Sequence, residues 1–171
     1  MSVGRLKEMI RESNCIQFGR FKLASGGTSN YKIFCDPLFE NPEAKDILGK
    51  LGYRMLQEIE NRKTYEILGV VTGGYEFAKL VARMAGRNAI GINPHSSEVI
   101  GKIKKEELCY FEDIVTKGGS ILKCHSILGK HDGKDNHAIA IVDREEGAEE
   151  NLIGANISLK AILTKTELGI Q

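Results

Sequence analysis

The stretch CYFEDIVTKGGSIL, Cys109 to Leu122, decides the fold. Apolar and aromatic residues run into two adjacent acids, Glu112 and Asp113. A loop rich in hydroxyls and glycine follows, and then the start of an apolar helical pattern. A short, continuous apolar run suits a strand buried on both faces, as in a parallel sheet. A glycine-rich turn opening a helix exposes several backbone N–H groups, and the helix dipole places about half a positive charge there. Thr116 and Ser120 add hydroxyl donors, so the segment Thr116 to Ser120 suits a phosphate monoester. It is not a P-loop: there the lysine follows the glycines, whereas Lys117 precedes Gly118 and Gly119. The same glycines would equally serve a plain strand–turn–helix connection.

The acids favour a ligand. Neighbours on a strand point to opposite sides, but at its terminus either can reach a bound molecule. Carboxylates accept sugar hydroxyls and can hold Mg²⁺ directly or through water. Acids for a ribose diol, beside a loop for its 5′-phosphate, make a phosphoribosyl site. The competing reading is a pair of solvated acids capping the next turn.

Outward from this stretch, EILGVV (66–71) and HAIAIVD (137–143) are further apolar strands, and NAIGIN (88–93) is a weaker one. Helical spacing marks residues 2–13, 42–61, the segment FAKLVARMAG and the segment SILKCHSILGKH. ISLKAILTKTEL holds a last strand and a terminal turn. Strands alternating with helices from residue 65 onward predict βαβ units and a parallel sheet flanked by helices. Ligands in such sheets bind at the carboxyl ends of the strands. Three of those ends carry polar or glycine-rich signals: TGG (72–74), EDIVTKGGS (112–120) and DREEG (143–147). GVVTGG lacks the spacing of GxGxxG, which argues against a dinucleotide fold. Before residue 40 the pattern predicts a hairpin, with alternating apolar positions (Phe21, Leu23; Tyr31, Ile33) on either side of a turn at Ser25–Ser29, as part of a cap over one end of the sheet.

A chain of 171 residues is most simply one domain, with no linker or repeat to divide it. A net charge of +1 argues against a nucleic-acid footprint or a polybasic membrane segment. The four cysteines, with no CxxC, read as reduced thiols of a cytoplasmic protein. The N-terminus is unlike a signal peptide, and no apolar run reaches membrane-spanning length.

YFEDIVTKGGS resembles the PRPP-binding signature of type I phosphoribosyltransferases. FGRFKLASGGTSNY, GVVTGGYEFAKLVA and IVDREEGAEENL are similar, in order, to three further segments of the orotate phosphoribosyltransferase family. The resemblance spans roughly residues 16–168. It implies an α/β fold of that type with an N-terminal hood, and transfer of the phosphoribosyl group of PRPP to orotate. It also implies roles: Glu112 and Asp113 at the ribose hydroxyls; Thr116, Gly118, Gly119 and Ser120, with Lys117, at the 5′-phosphate; Thr72, Gly73 and Gly74 at the pyrophosphate; Arg144 at the base. On its residues alone Arg144 reads as a surface ion-pair partner of Glu145, Glu146 or Glu149. Mg²⁺ is implied as cofactor, held mainly by PRPP with Asp113 in reach, as is a homodimer acting on small molecules without nucleic acid or membrane.

The chain departs from the family pattern in four places. NPHSSEVIGKIKKEE (93–107) stands where the family has a longer basic mobile loop, leaving His95, Lys102, Lys104 and Lys105 as possible remnants or as a solvated turn. Lys117 replaces a hydroxyl residue, Lys32 a second aromatic after Tyr31, and Ala24 a lysine. Alongside the transferase, two alternatives therefore stand: a non-catalytic PRPP- or nucleotide-binding sensor, and a transferase for another base.

Overall fold

The computed structural model describes residues 2–22, 27–61, 63–129 and 135–171. The elements, in chain order, are α1 (Val3–Glu12), β1 (Ile16–Lys22), β2 (Thr28–Ile33), α2 (Asp36–Glu40), α3 (Pro42–Ile59), β3 (Glu66–Val70) and α4 (Gly73–Ala85). They continue with β4 (Ile90–Ile92), β5 (Val99–Ile100), β6 (Leu108–Val115), α5 (Gly119–Leu128), β7 (Asn136–Asp143), α6 (Ala148–Ile153) and β8 (Ile157–Thr164).

Continuous apolar runs produce the central sheet, ordered β5-β4-β3-β6-β7-β8. The β4–β3–β6–β7–β8 pairings are parallel, as the alternation of strands and helices predicts. The edge differs: β5 runs antiparallel to β4. The connection is too short for a crossover, and Asn93 N–H donates to the Glu98 carbonyl at 2.9 Å, so the chain reverses. Two residues, Val99 and Ile100, gave no strand pattern to read in advance.

Period-two alternation divides the core between the two faces of the sheet. Ile67, Cys109, Phe111, Ile139 and Ile141 face the cluster built by α1, α3 and α4. Leu68, Tyr110, Ala138 and Ala140 face the cluster built by α5 and α6. Helix α3 starts where predicted because Pro42 suits a first helical position and Asn41 Oδ1 accepts the N–H groups of Glu43 and Ala44 at 2.9 and 3.2 Å. The four cysteines are buried and unbridged. No helix among the described residues is long and apolar enough to cross a membrane.

The first forty residues split in two. Helix α1 packs on α3 and β8 through Leu6, Met9 and Ile10. The β1–β2 hairpin forms its own two-stranded sheet, with Phe18 opposite Tyr31. Leu23, Ala24, Ser25 and Gly26, on which part of the hairpin expectation rests, lie outside the described residues.

Candidate active site

Strand β6 runs two residues past the acids, to Val115, so Glu112 and Asp113 sit inside the strand rather than at its terminus. Alternation therefore governs them. Glu112 continues the Leu108–Tyr110 face, toward α5, and Asp113 continues the Cys109–Phe111 face, toward α4. Glu112 is 7% exposed, and its Oε1 accepts the Asp113 N–H at 3.2 Å. Burial first, and then the neighbouring Asp113, raise its carboxyl well above the usual range. Asp113 is half-buried, with Oδ1 accepting the Ile114 N–H at 2.9 Å.

The Thr72–Gly74 turn lies against these acids. Thr72 ends the connection from β3, the Val71–Thr72 peptide is cis, and α4 begins at Gly73. A Cβ on Gly73 would overlap the Asp113 carboxylate. One on Gly74 would overlap the Phe111 carbonyl and stand 2.9 Å from Glu112 Cα. The missing side chains thus let the start of α4 close on β6, where the sequence suggested only room for an anion.

Beyond Val115 the chain turns through Gly118, whose φ of +74° favours glycine and whose Cβ would meet Leu152 of α6 at 2.9 Å. Helix α5 opens at Gly119 with no side-chain cap, leaving first-turn N–H groups free to meet an anion. Glu112, Thr116, Gly118, Gly119 and Ser120 line a small cavity of about 30 Å³ beside this turn. Lys117 is not among its lining residues: its side chain is exposed, and its carbonyl accepts Asn151 Nδ2 at 2.9 Å.

Arg144 follows β7 and is 8% exposed, not a surface residue. Its Nη2 pairs with Glu146 at 2.8 Å, its Nε donates to the Tyr31 hydroxyl at 3.1 Å, and its guanidinium lies 4.6 Å from the Tyr31 ring centre. The hairpin thereby reaches the carboxyl end of the sheet. Lys32, alternating with Tyr31, is exposed and sits over the Phe34 ring at 4.6 Å, on the other side of the strand. The Glu146 ion pair is one the sequence offers for Arg144, though the pair is buried rather than on the surface. The contacts of Tyr31 and Asn151 have no local signal, being 113 and 34 residues from their partners.

The predicted site residues from β3, β6 and β7 thus converge at one end of the sheet. His95 lies at that end too, exposed in the β4–β5 turn. Lys104 and Lys105 do not: their backbone N–H groups donate to Glu66 Oε2 at 2.7 and 3.1 Å, at the first residue of β3. That is about 13 Å from the Thr72 end of the strand at ~3.3 Å per residue. A larger groove, about 980 Å³, lies along α4 and the β5 edge, but it contains neither the paired acids nor the glycine loops.

No family model matches the chain. The orotate phosphoribosyltransferase of Methanocaldococcus jannaschii is 30% identical, over 96% of this chain and 95% of its own length. That of Methanococcus maripaludis is 31% identical, over 96% and 92%. The crystal structure of orotate phosphoribosyltransferase from Aeropyrum pernix superposes with a TM-score of 0.83 at 25% identity, covering 95% of this chain and 96% of that one. The fold, the order of the motifs and these full-length relatives agree: the chain belongs to the orotate phosphoribosyltransferase family.

Proposed function

We propose that this protein transfers the 5-phosphoribosyl group of PRPP to orotate, giving orotidine 5′-phosphate and pyrophosphate, a step of pyrimidine nucleotide synthesis. The observation that carries the reading is the acid pair of β6, seated between the Thr72–Gly74 turn and the Thr116–Ser120 loop. In this reading Thr116, Gly118, Gly119 and Ser120 hold the 5′-phosphate with amides and hydroxyls, and Lys117 contributes only a screened charge from outside. Glu112 and Asp113 take the ribose 2′- and 3′-hydroxyls. Burial shifts Glu112 toward its neutral form, in which a carboxyl can donate to a hydroxyl oxygen as well as accept from one. Thr72, Gly73 and Gly74 line the pyrophosphate.

Arg144, held from two sides by Glu146 and Tyr31, presents its remaining donors to the base. A ring nitrogen of orotate attacks C1′ as the C1′–oxygen bond to pyrophosphate breaks; no covalent enzyme intermediate is needed. Positioning supplies much of the rate. Mg²⁺ would be held mainly by PRPP oxygens, with Asp113 as its protein contact. Bound there, Mg²⁺ neutralises charge on the departing pyrophosphate. We place the protein in the cytoplasm as a homodimer.

One observation favours the second reading, a PRPP- or nucleotide-binding protein without turnover. The lysines that follow β5 lie at the far end of the sheet, so they bring no positive charge to the leaving group. Losing one stabilising contact of that kind costs roughly 3–4 kcal/mol, a hundred- to a thousandfold in rate. One assay separates the two: Mg²⁺- and orotate-dependent pyrophosphate release, run beside calorimetry with PRPP. Turnover supports the transferase. Saturable PRPP binding with release no faster than a protein-free blank supports the sensor and removes the transferase.

A further inference from the structure

The KIKK segment (102–105) finds no use in the phosphoribosyl site, and the structure gives it another setting. Residues 101–105 descend from β5 past the sheet edge, opposite the outer side of α4, and the two enclose the groove of about 980 Å³. Its lining carries six cationic side chains: Lys79, Arg83, Arg87, Lys102, Lys104 and Lys105. Glu66 is the single carboxylate among them, and Oε2 of that group is occupied by the backbone N–H groups of Lys104 and Lys105. A chain with a net charge of only +1 has therefore concentrated positive charge in one concave surface.

The compensation is incomplete. Lys79 pairs with Glu76 at 2.7 Å, Arg87 pairs with Glu60 at 2.8 Å, and Lys105 Nζ donates to the Tyr65 carbonyl at 3.3 Å. Arg83, Lys102 and Lys104 are exposed, and their side chains have no carboxylate partner among the described residues. Arg87 Nε and Nη2 are buried with no acceptor among those residues, so its charge is under-compensated at the groove wall. Tyr75, Lys79 and Arg83 follow one another at four-residue spacing, so they line one side of α4 over about 12 Å at 1.5 Å per residue. That length matches a chain of phosphates carrying a nucleoside better than a single phosphate, and the volume reaches the upper range of small-molecule sites.

We propose that this groove is a second anion site, separate from the phosphoribosyl site, and that it takes the polyphosphate chain of a small molecule, a nucleoside triphosphate above all. Charge complementarity selects the occupant: several cations spaced along a trough bind an extended polyanion, and each contact is a charge-assisted hydrogen bond.

The test is calorimetric titration of the whole protein with inorganic triphosphate, ATP and UTP at two salt concentrations. Excess ribose 5-phosphate is present to fill the other site, and the groove result stands whether or not that site accepts it. The variants are Arg83→Glu/Lys102→Glu/Lys104→Glu and the milder Lys102→Ala/Lys104→Ala, each checked for native melting. We expect one site per chain, at least about tenfold weaker in the triple variant, weakened less in the double variant, and loosened by salt. Tighter binding of ATP or UTP than of inorganic triphosphate assigns the site to nucleotides; equal binding assigns it to the polyphosphate alone. Undetectable binding by wild-type protein, or equal binding by wild type and triple variant, overturns the proposal. So does sedimentation showing a dimer that the triple variant abolishes, since the groove would then belong to a second copy.

Discussion

Gly73 and Gly74 are neighbours in sequence, yet adding one methyl group to each has different consequences. At Gly74 the methyl meets the backbone of β6, the Phe111 carbonyl and, at 2.9 Å, Glu112 Cα. A central strand paired on both sides cannot retreat, so overpacking reaches the upper part of its usual range, about 3 kcal/mol. Alanine in place of glycine in a helix returns up to about 1 kcal/mol. The net loss is about 2 kcal/mol, a Tm lower by roughly 4–8 °C for a domain of this size. At Gly73 the methyl meets the carboxylate end of the Asp113 side chain, which can rotate away. Stability is then nearly kept, but Asp113 leaves the position from which it reaches a ribose hydroxyl. Hydrogen bonds to charged groups are worth about 1.5–3 kcal/mol, so kcat/KM falls roughly ten- to 150-fold. Calorimetric melting of Gly73→Ala and Gly74→Ala, beside pyrophosphate release by Gly73→Ala and equilibrium binding of PRPP, measures both. Wild-type melting of Gly74→Ala would refute the close approach of α4 to β6. Wild-type PRPP affinity and turnover in Gly73→Ala would remove Asp113 from the ribose.

Folding raises the Glu112 carboxyl above its ordinary value, so the folded chain keeps a proton that the unfolded chain has released. Its contribution is complete below the unfolded value, about 4.3, and is lost as pH rises toward the raised one, by about 1.4 kcal/mol per pH unit. Glu112→Gln should therefore gain stability on wild type from pH 5 to pH 8; parallel Tm profiles would contradict the burial. Arg144→Lys cannot meet Glu146 and the Tyr31 hydroxyl together, and should lower kcat/KM for orotate about ten- to 150-fold with little change in PRPP affinity. An unchanged KM for orotate would release Arg144 from the base pocket. Lys117→Thr should alter PRPP affinity less than about fivefold, since an exposed charge is worth about 0.2–1 kcal/mol. A larger loss would bring the lysine into the cradle.

What could be read in advance follows the range of the signal. Apolar runs over five to eight residues produce β3, β6 and β7, and a glycine-rich turn next to such a run is local as well. These neighbours in sequence are neighbours in space, so the acid pair and both loops are legible in the sequence. Arg144 shows where that range ends. The run of acids after DR does supply an ion-pair partner, Glu146, but the surface placement fails, because Tyr31, 113 residues away, packs on the guanidinium and leaves it 8% exposed. Helix α6 gave too little pattern in six residues, yet its Leu152 requires the glycine at 118 and its Asn151 holds the Lys117 carbonyl. The lysines after β5 make the sharpest case. Read along the chain, 102–105 follow closely on the turn that carries His95, and so suggest a shared role at the leaving group. A two-residue antiparallel strand reverses the chain between them, leaving His95 at the carboxyl end of the sheet while Lys104 and Lys105 anchor to Glu66 at the opposite one. Direction, not distance in sequence, separates the two sites.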